Sequence, residues 1–304
     1  MATVCDCNST FSNVGTPNCV NIGNVTYRLI GVPTYDSTGV KNFIDTTATL
    51  DDAYFTAALN NSDDSKRWYP LPVMKNVEST RGDDVTESYN DGSTAFIQES
   101  PRTFTGISIK NPSPVLLGKI KDWRCSEISV FVIDIEGNIL GNGETADKLY
   151  PFRVDAETWS AKYMVATDTT KPKIQLDYTY SKDEDDSDIR MIASTETTPD
   201  VRDLEGLIDV NSTVSGISTT GFTITSTYDY GTQVTKDAFK GAVTGDWVLT
   251  EVSPTPGAIT ITSATEGADG VYVFVIPTAT SADVLSLTLS LNGYEMTAVS
   301  ITIP

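Results

Sequence analysis

The stretch Lys182-Asp183-Glu184-Asp185-Asp186-Ser187-Asp188 places five carboxylates within seven residues. Carboxylates at that density can ligate a hard cation, supply acid and base to a hydrolysis, or keep a surface repulsive towards other anions. A calcium loop of the D-x-[DN]-x-[DN]-G type needs a glycine for its sharp turn and a spaced bidentate glutamate. KDEDDSD has neither. The simplest reading is an exposed, self-repelling loop, with adventitious Ca²⁺ or Mg²⁺ binding as the weaker alternative. Upstream, Ile174, Leu176, Tyr178 and Tyr180 share one face of an alternating run, and downstream Ile189, Met191 and Ala193 do the same. The acids Asp183, Glu184, Asp185, Asp186 and Asp188 are therefore expected at the tip of a β-hairpin. The pairs Asp63-Asp64 and Asp83-Asp84 are expected to be solvated.

No histidine occurs in the 304 residues. That removes the commonest general base, the Ser-His and Cys-His nucleophile arrangements and most zinc catalysis. Neither a phosphate-binding G-x-x-x-x-G-K-[ST] loop nor a dinucleotide-binding G-x-G-x-x-G turn is present. A carboxylate pair for glycoside hydrolysis needs only two of the 41 acids, and chance alone would supply such a pair. We therefore assign no catalytic residue, no metal and no cofactor. The cysteines, Cys5, Cys7, Cys19 and Cys125, do not follow a zinc spacing. They read as free or packing thiols, with a disulfide formed after release from a cell as the alternative.

The formal net charge is −20. So acidic a chain repels nucleic acid and anionic membranes rather than binding them. No apolar run approaches the ~20 residues of a membrane helix. The N-terminal MATVCDCNSTFSN has neither a basic nor an apolar signal region, so no secretion signal is expected.

The elements that would position these residues are mainly strands. Charge and cysteine divide the chain near residue 203: residues 1–203 hold all the cysteines and 19 of the 21 Lys and Arg, and 204–304 hold only Lys236 and Lys240. STETTPDVRDLEG (194–206) reads as the linker. In 204–304, alternating runs recur between turn signals, as in GFTITSTYD, DWVLTEVS, AITITSAT, GVYVFVIP and VLSLTLSLNG. This pattern predicts an immunoglobulin-like β-sandwich with Trp247 and Tyr294 as core or corner aromatics. In 1–203 the strands are VTYRLIGVPTY, RTFTGISIK, EISVFVIDIEGNILG, YPFRVD, KIQLDYTYS and IRMIAS, with a hairpin turn at Glu136-Gly137-Asn138. One helix is predicted, LDDAYFTAALNN (50–61), capped by Thr49. The polar run from about 60 to 100 has little periodicity and reads as an arm that orders against a neighbouring copy. Its candidate contact residues are Trp68, Tyr69, Arg81, Asp83, Asp84 and Tyr89.

Taken together, the helix LDDAYFTAALNN, the arm WYPLPVMKNVESTRGDDVTESYNDGS, the pair RTFTGISIK and EISVFVIDIEGNILG, and KIQLDYTY–KDEDDSD–IRMIAS resemble a tail tube protein of long-tailed bacteriophages. An acidic chain with no catalytic set and an appended immunoglobulin-like module fits that family. The N-terminal extension bearing Cys5, Cys7 and Cys19 departs from it. The resemblance implies a tube domain that is a β-sandwich or barrel, and hexameric rings that stack into a hollow tube with other tail proteins. It also implies an acidic lumen through which DNA passes without specific binding, and a location in the virion after assembly in the host cytoplasm. Weak contacts of 204–304 with cell-surface sugars are implied too. The competing readings are a fibre, baseplate, capsid-decoration or adhesin module, and a polysaccharide-degrading enzyme.

Overall fold

The computed structural model describes Gly15 and residues 22–304. Cys5, Cys7 and Cys19 lie outside the described residues, and Cys125 is an exposed free thiol. The architecture is mainly β, with two short α-helices.

The N-terminal part, up to about residue 203, is layered around one sheet. Its strands run in the order Ile189–Ile192, Ile139–Asn142, Ile128–Asp134, Thr26–Pro33, Tyr69–Pro70, and Phe152–Arg153 adds to the central Ile128–Asp134. The central strand is buried at all seven positions. Its apolar residues fall on both faces because both faces are covered. One face carries Leu29, Val130, Val132 and Phe152 against a second sheet that contributes Met74, Phe104, Leu176 and Tyr178. The other carries Ile30, Val32, Phe131 and Ile133 against Phe55 and Leu59 of the first helix, α1 (Asp52–Leu59), together with Trp68. The second sheet runs Ser160–Met164, Lys173–Thr179, Arg102–Ser108, Met74–Arg81, all antiparallel. Sheet-on-sheet packing of this kind is a sandwich. Both sheets keep open edges, so the barrel alternative is not what forms among the described residues.

The C-terminal part, from Ile208 on, is a second sandwich. Phe222, Ile224, Tyr272 and Phe274 of one sheet meet Trp247, Leu249, Leu285, Leu287 and Ile301 of the other. Trp247 is in this core, and Tyr294 packs at its margin. Strand Ile208–Ser218, absent from the sequence reading because Asn, Ser and Thr dilute its apolar residues, opens the fold beside Gly221–Gly231. AITITSAT is split into Gly257–Ile259 and Ser263–Ala268, which join different sheets.

Three further expectations change. The described residues hold two α-helices, not one: α2 (Pro114–Lys121) starts at Ser113, whose side chain accepts from the Leu116 N–H, with Pro114 in the first turn. Its short apolar stripe was hidden beside the strong strand signals around it. Helix α1 is capped by Asp51, which accepts from the Tyr54 N–H at 2.9 Å, rather than by Thr49. The 194–206 segment is not a free linker. Val201 lies in the N-terminal core, and the buried Arg28 guanidinium donates to the carbonyls of Arg202 and Leu204 at 2.8 and 2.6 Å.

Candidate functional site

The polar run is not featureless. Strand Met74–Arg81 carries it away from the core, the hairpin Val85–Ser88/Thr94–Gln98 forms its tip, and Arg102–Ser108 returns it. The tip turns at Tyr89–Ser93: Gly92 takes a φ of +83°, and the Asp91 carboxylate accepts from the Ser93 N–H at 2.9 Å. Asp91-Gly92 is a hairpin signal that the surrounding polarity obscured. The arm proper therefore begins near residue 82, not near 60. Trp68 is a core residue, its ring 5.8 Å from Phe55 and 5.4 Å from Phe131. Tyr69 pairs with Gly31 at the sheet edge and packs edge-on to Trp123 at 5.6 Å. Neither lies on the arm. Asp83, Asp84 and Tyr89 are exposed on the arm, and the Tyr89 hydroxyl donates to Glu87 at 3.0 Å.

KDEDDSD is not a hairpin tip. Lys173–Thr179 belongs to the second sheet and Ile189–Ile192 to the first, so the acidic segment crosses between layers. The two flanking alternations, read as one hairpin, never pair. The crossing lies beside the root of the arm, where strand register sets Arg81 opposite Arg102. Two guanidiniums side by side repel unless an anion lies between them. Asp186 supplies it, at 3.0 Å from Arg81 Nη2 and 3.2 Å from Arg102 Nη1, and Glu99 also pairs with Arg81. The Arg102 guanidinium also lies 4.1 Å from the centre of the buried Tyr180 ring, a cation–π contact. Glu184 accepts from the Arg153 N–H at 2.9 Å and from Asn142 Nδ2 at 3.0 Å. Asp185 accepts from the Ser187 N–H at 2.8 Å, and bonds to Ser187 hold its carboxyl below the usual aspartate range.

The acidic segment is thus pinned by Glu184 and Asp186, while Asp183 and Asp185 are exposed and Asp188 is half-buried. A cleft of about 380 Å³ opens between it and the arm, lined by Arg81, Phe96, Gln98, Arg102, Asp183 and Asp185. On the other side of the segment a cleft of about 250 Å³ is lined by Lys41, Asn142, Tyr150, Asp183 and Glu184. Of the sequence candidates, Arg81 and the acids 183–186 come together, and the structure adds Phe96, Glu99, Arg102 and Tyr180. Only register could have revealed Arg102, since nothing in the sequence pairs it with Arg81. Among the described residues no three His, Cys, Asp or Glu side chains converge to hold a metal ion. Among the described residues, too, no helix is long and apolar enough to cross a membrane. Neither a protein-family model nor a curated protein matches the chain.

Proposed function

We propose that this chain is a virion structural protein that self-assembles, its copies forming hexameric rings that stack into a phage tail tube. The observation that carries the reading is the bare arm. In the hairpin Val85–Ser88/Thr94–Gln98 every position but Ala95 is exposed, and Phe96 and Ile97 are 61% and 55% exposed. A two-stranded ribbon is at best marginal alone in water, and adjacent bare apolar side chains mark a surface that a partner covers. Open sheet edges supply further pairing sites, and closing a ring would remove them. The charge of −20 suits a conduit through which DNA slides without sticking. On this reading the 204–304 sandwich, immunoglobulin-like in role, sits on the outside of the virion.

A decoration, fibre, baseplate or adhesin module is the second reading, favoured by one feature. The outer face of strands Gly221–Gly231 and Val271–Val275 presents Thr223 opposite Val273 and Thr225 opposite Val271, with no charge among them. Such a face suits weak contact with neutral, hydroxyl-rich surfaces such as glycans. Negative-stain microscopy with light scattering on the purified protein separates the two. Rings or tubes are expected; a strict monomer or a closed dimer or trimer at high concentration would exclude the tube.

A further inference from the structure

The second sheet has two chemically opposite ends. At one end lie Arg81, Arg102, the KDEDDSD crossing and the arm. At the other, about six residues or ~20 Å away along the strands, lie Lys75 at the start of Met74–Arg81 and Lys173 at the start of Lys173–Thr179. Lys110, just past Ser108, and Lys171, in the loop before Lys173, join them. Lys75, Lys110 and Lys171 are exposed and Lys173 is half-buried. None of the four makes an ion pair among the described residues. Asp168 is the acid in the adjoining loop. Lys75, Lys171 and Lys173 line a cleft of about 370 Å³ with Asn76, Ile107 and Ile109. Ile109 and Val165 beside it are bare, Val165 at 74%.

The arm is the complement of this end. From Asp83 to Glu99 it holds Asp83, Asp84, Glu87, Asp91 and Glu99 and no Lys or Arg, together with the bare Phe96 and Ile97. Within one chain the arm leaves the sheet at the end opposite the lysines, so it cannot cover them itself. We infer that the acidic arm of one copy docks on the lysine-lined end of the next, its carboxylates facing Lys75, Lys110, Lys171 and Lys173 and its apolar pair meeting Ile107 and Ile109. The contact is heterologous, using two different patches, and such contacts propagate head to tail. In a chain of net charge −20, where copies otherwise repel, complementary ends fix which approach succeeds. This rests on the self-assembly reading and names the surface through which it works.

A charge swap tests it. Lys75→Glu, Lys110→Glu and Lys171→Glu reverse the exposed lysines; Asp83→Lys, Asp84→Lys and Glu87→Lys reverse the arm. All six positions are exposed, so circular dichroism and melting should match the wild type. Each triple variant is expected to need about tenfold or more protein to assemble, because opposed like charges replace attraction. The chain carrying all six changes should assemble as the wild type does. Wild-type assembly should weaken as NaCl is raised. If the wild type assembles and both triple variants assemble equally well, or the six-fold variant stays dissociated, the docking is wrong while self-assembly stands. If the wild type itself stays monomeric, both fall. If duplex DNA binds the wild type and not the lysine triple variant, the basic end is a nucleic-acid site and the docking is overturned.

Discussion

Strand Ile128–Asp134 and the hairpin Val85–Gln98 are both extended backbone with apolar side chains among polar ones, yet one is buried along its whole length and the other is bare. Propensity does not separate them. Layers do: the strand has a sheet on one side and a helix on the other, whereas the hairpin runs past the edge of both. The first is completed by its own chain, and the second is left bare by it, a surface that the proposed assembly would cover. The sharpest way to break this contrast is to make the same cut in each. Phe131→Ala removes a fully buried ring and should cost about 3–5 kcal/mol of stability in urea unfolding. Phe96→Ala should leave the unfolding curve within about 0.5 kcal/mol of wild type while weakening assembly. Equal losses would mean that the arm folds back on its own core.

Acids divide along the same line. Asp134 is fully buried and accepts from the N–H groups of Asn24, Glu136 and Asn138 and from Asn138 Nδ2, closing the Glu136-Gly137-Asn138 turn. Asp134→Ala leaves those donors without their acceptor and should cost about 2–3 kcal/mol. Asp186 is half exposed, and its two arginines keep other partners. Asp186→Ala should therefore cost only about 1 kcal/mol, near the upper range for exposed pairs. Its larger consequence is at the arm root, where hydrogen exchange in 82–100 should quicken. Unchanged exchange there would mean that the Asp186 ion pairs do not hold the arm root.

What could be read from sequence follows this division. The sandwich strands were legible because a core imposes alternation on them, and VLSLTLSL runs as one strand from Val284 to Leu289. The mainly-β class followed from many such runs. The arm was not legible as strands, because nothing in its own chain selects apolar residues for one of its faces. KDEDDSD was misplaced for a related reason. Local alternation says that two segments are strands but not which sheet each joins, and the partner of Arg81 is 105 residues away, at Asp186. The basic end escaped because Lys75, Lys110, Lys171 and Lys173 are scattered along the chain and only register gathers them.

The smallest effect expected is one of titration, and it compares one turn chemistry in two settings. Asp36 accepts from Thr38 Oγ1 at 2.7 Å and from the N–H groups of Thr38 and Val40 at 2.9 Å, and those bonds lower its pKa to about 2. Asp91, at the arm tip, accepts from Ser93 Oγ at 2.6 Å and is likewise held below the ordinary range. A carboxyl depressed on folding adds stability that is fully present above the unfolded value near 4, and that is lost as pH falls through the folded value. Asp36 lies in a loop tied to the core region through Asn42, which donates to the Pro33 and Ser65 carbonyls. Its contribution should register in global unfolding, and Asp36→Asn should flatten the acid limb of stability between pH 4 and 2. Asp91→Asn should leave that limb unchanged, because the arm tip can open without the core opening. If Asp91→Asn flattened it as much as Asp36→Asn, the arm would unfold with the core as one unit, and the contrast between the two regions would fail.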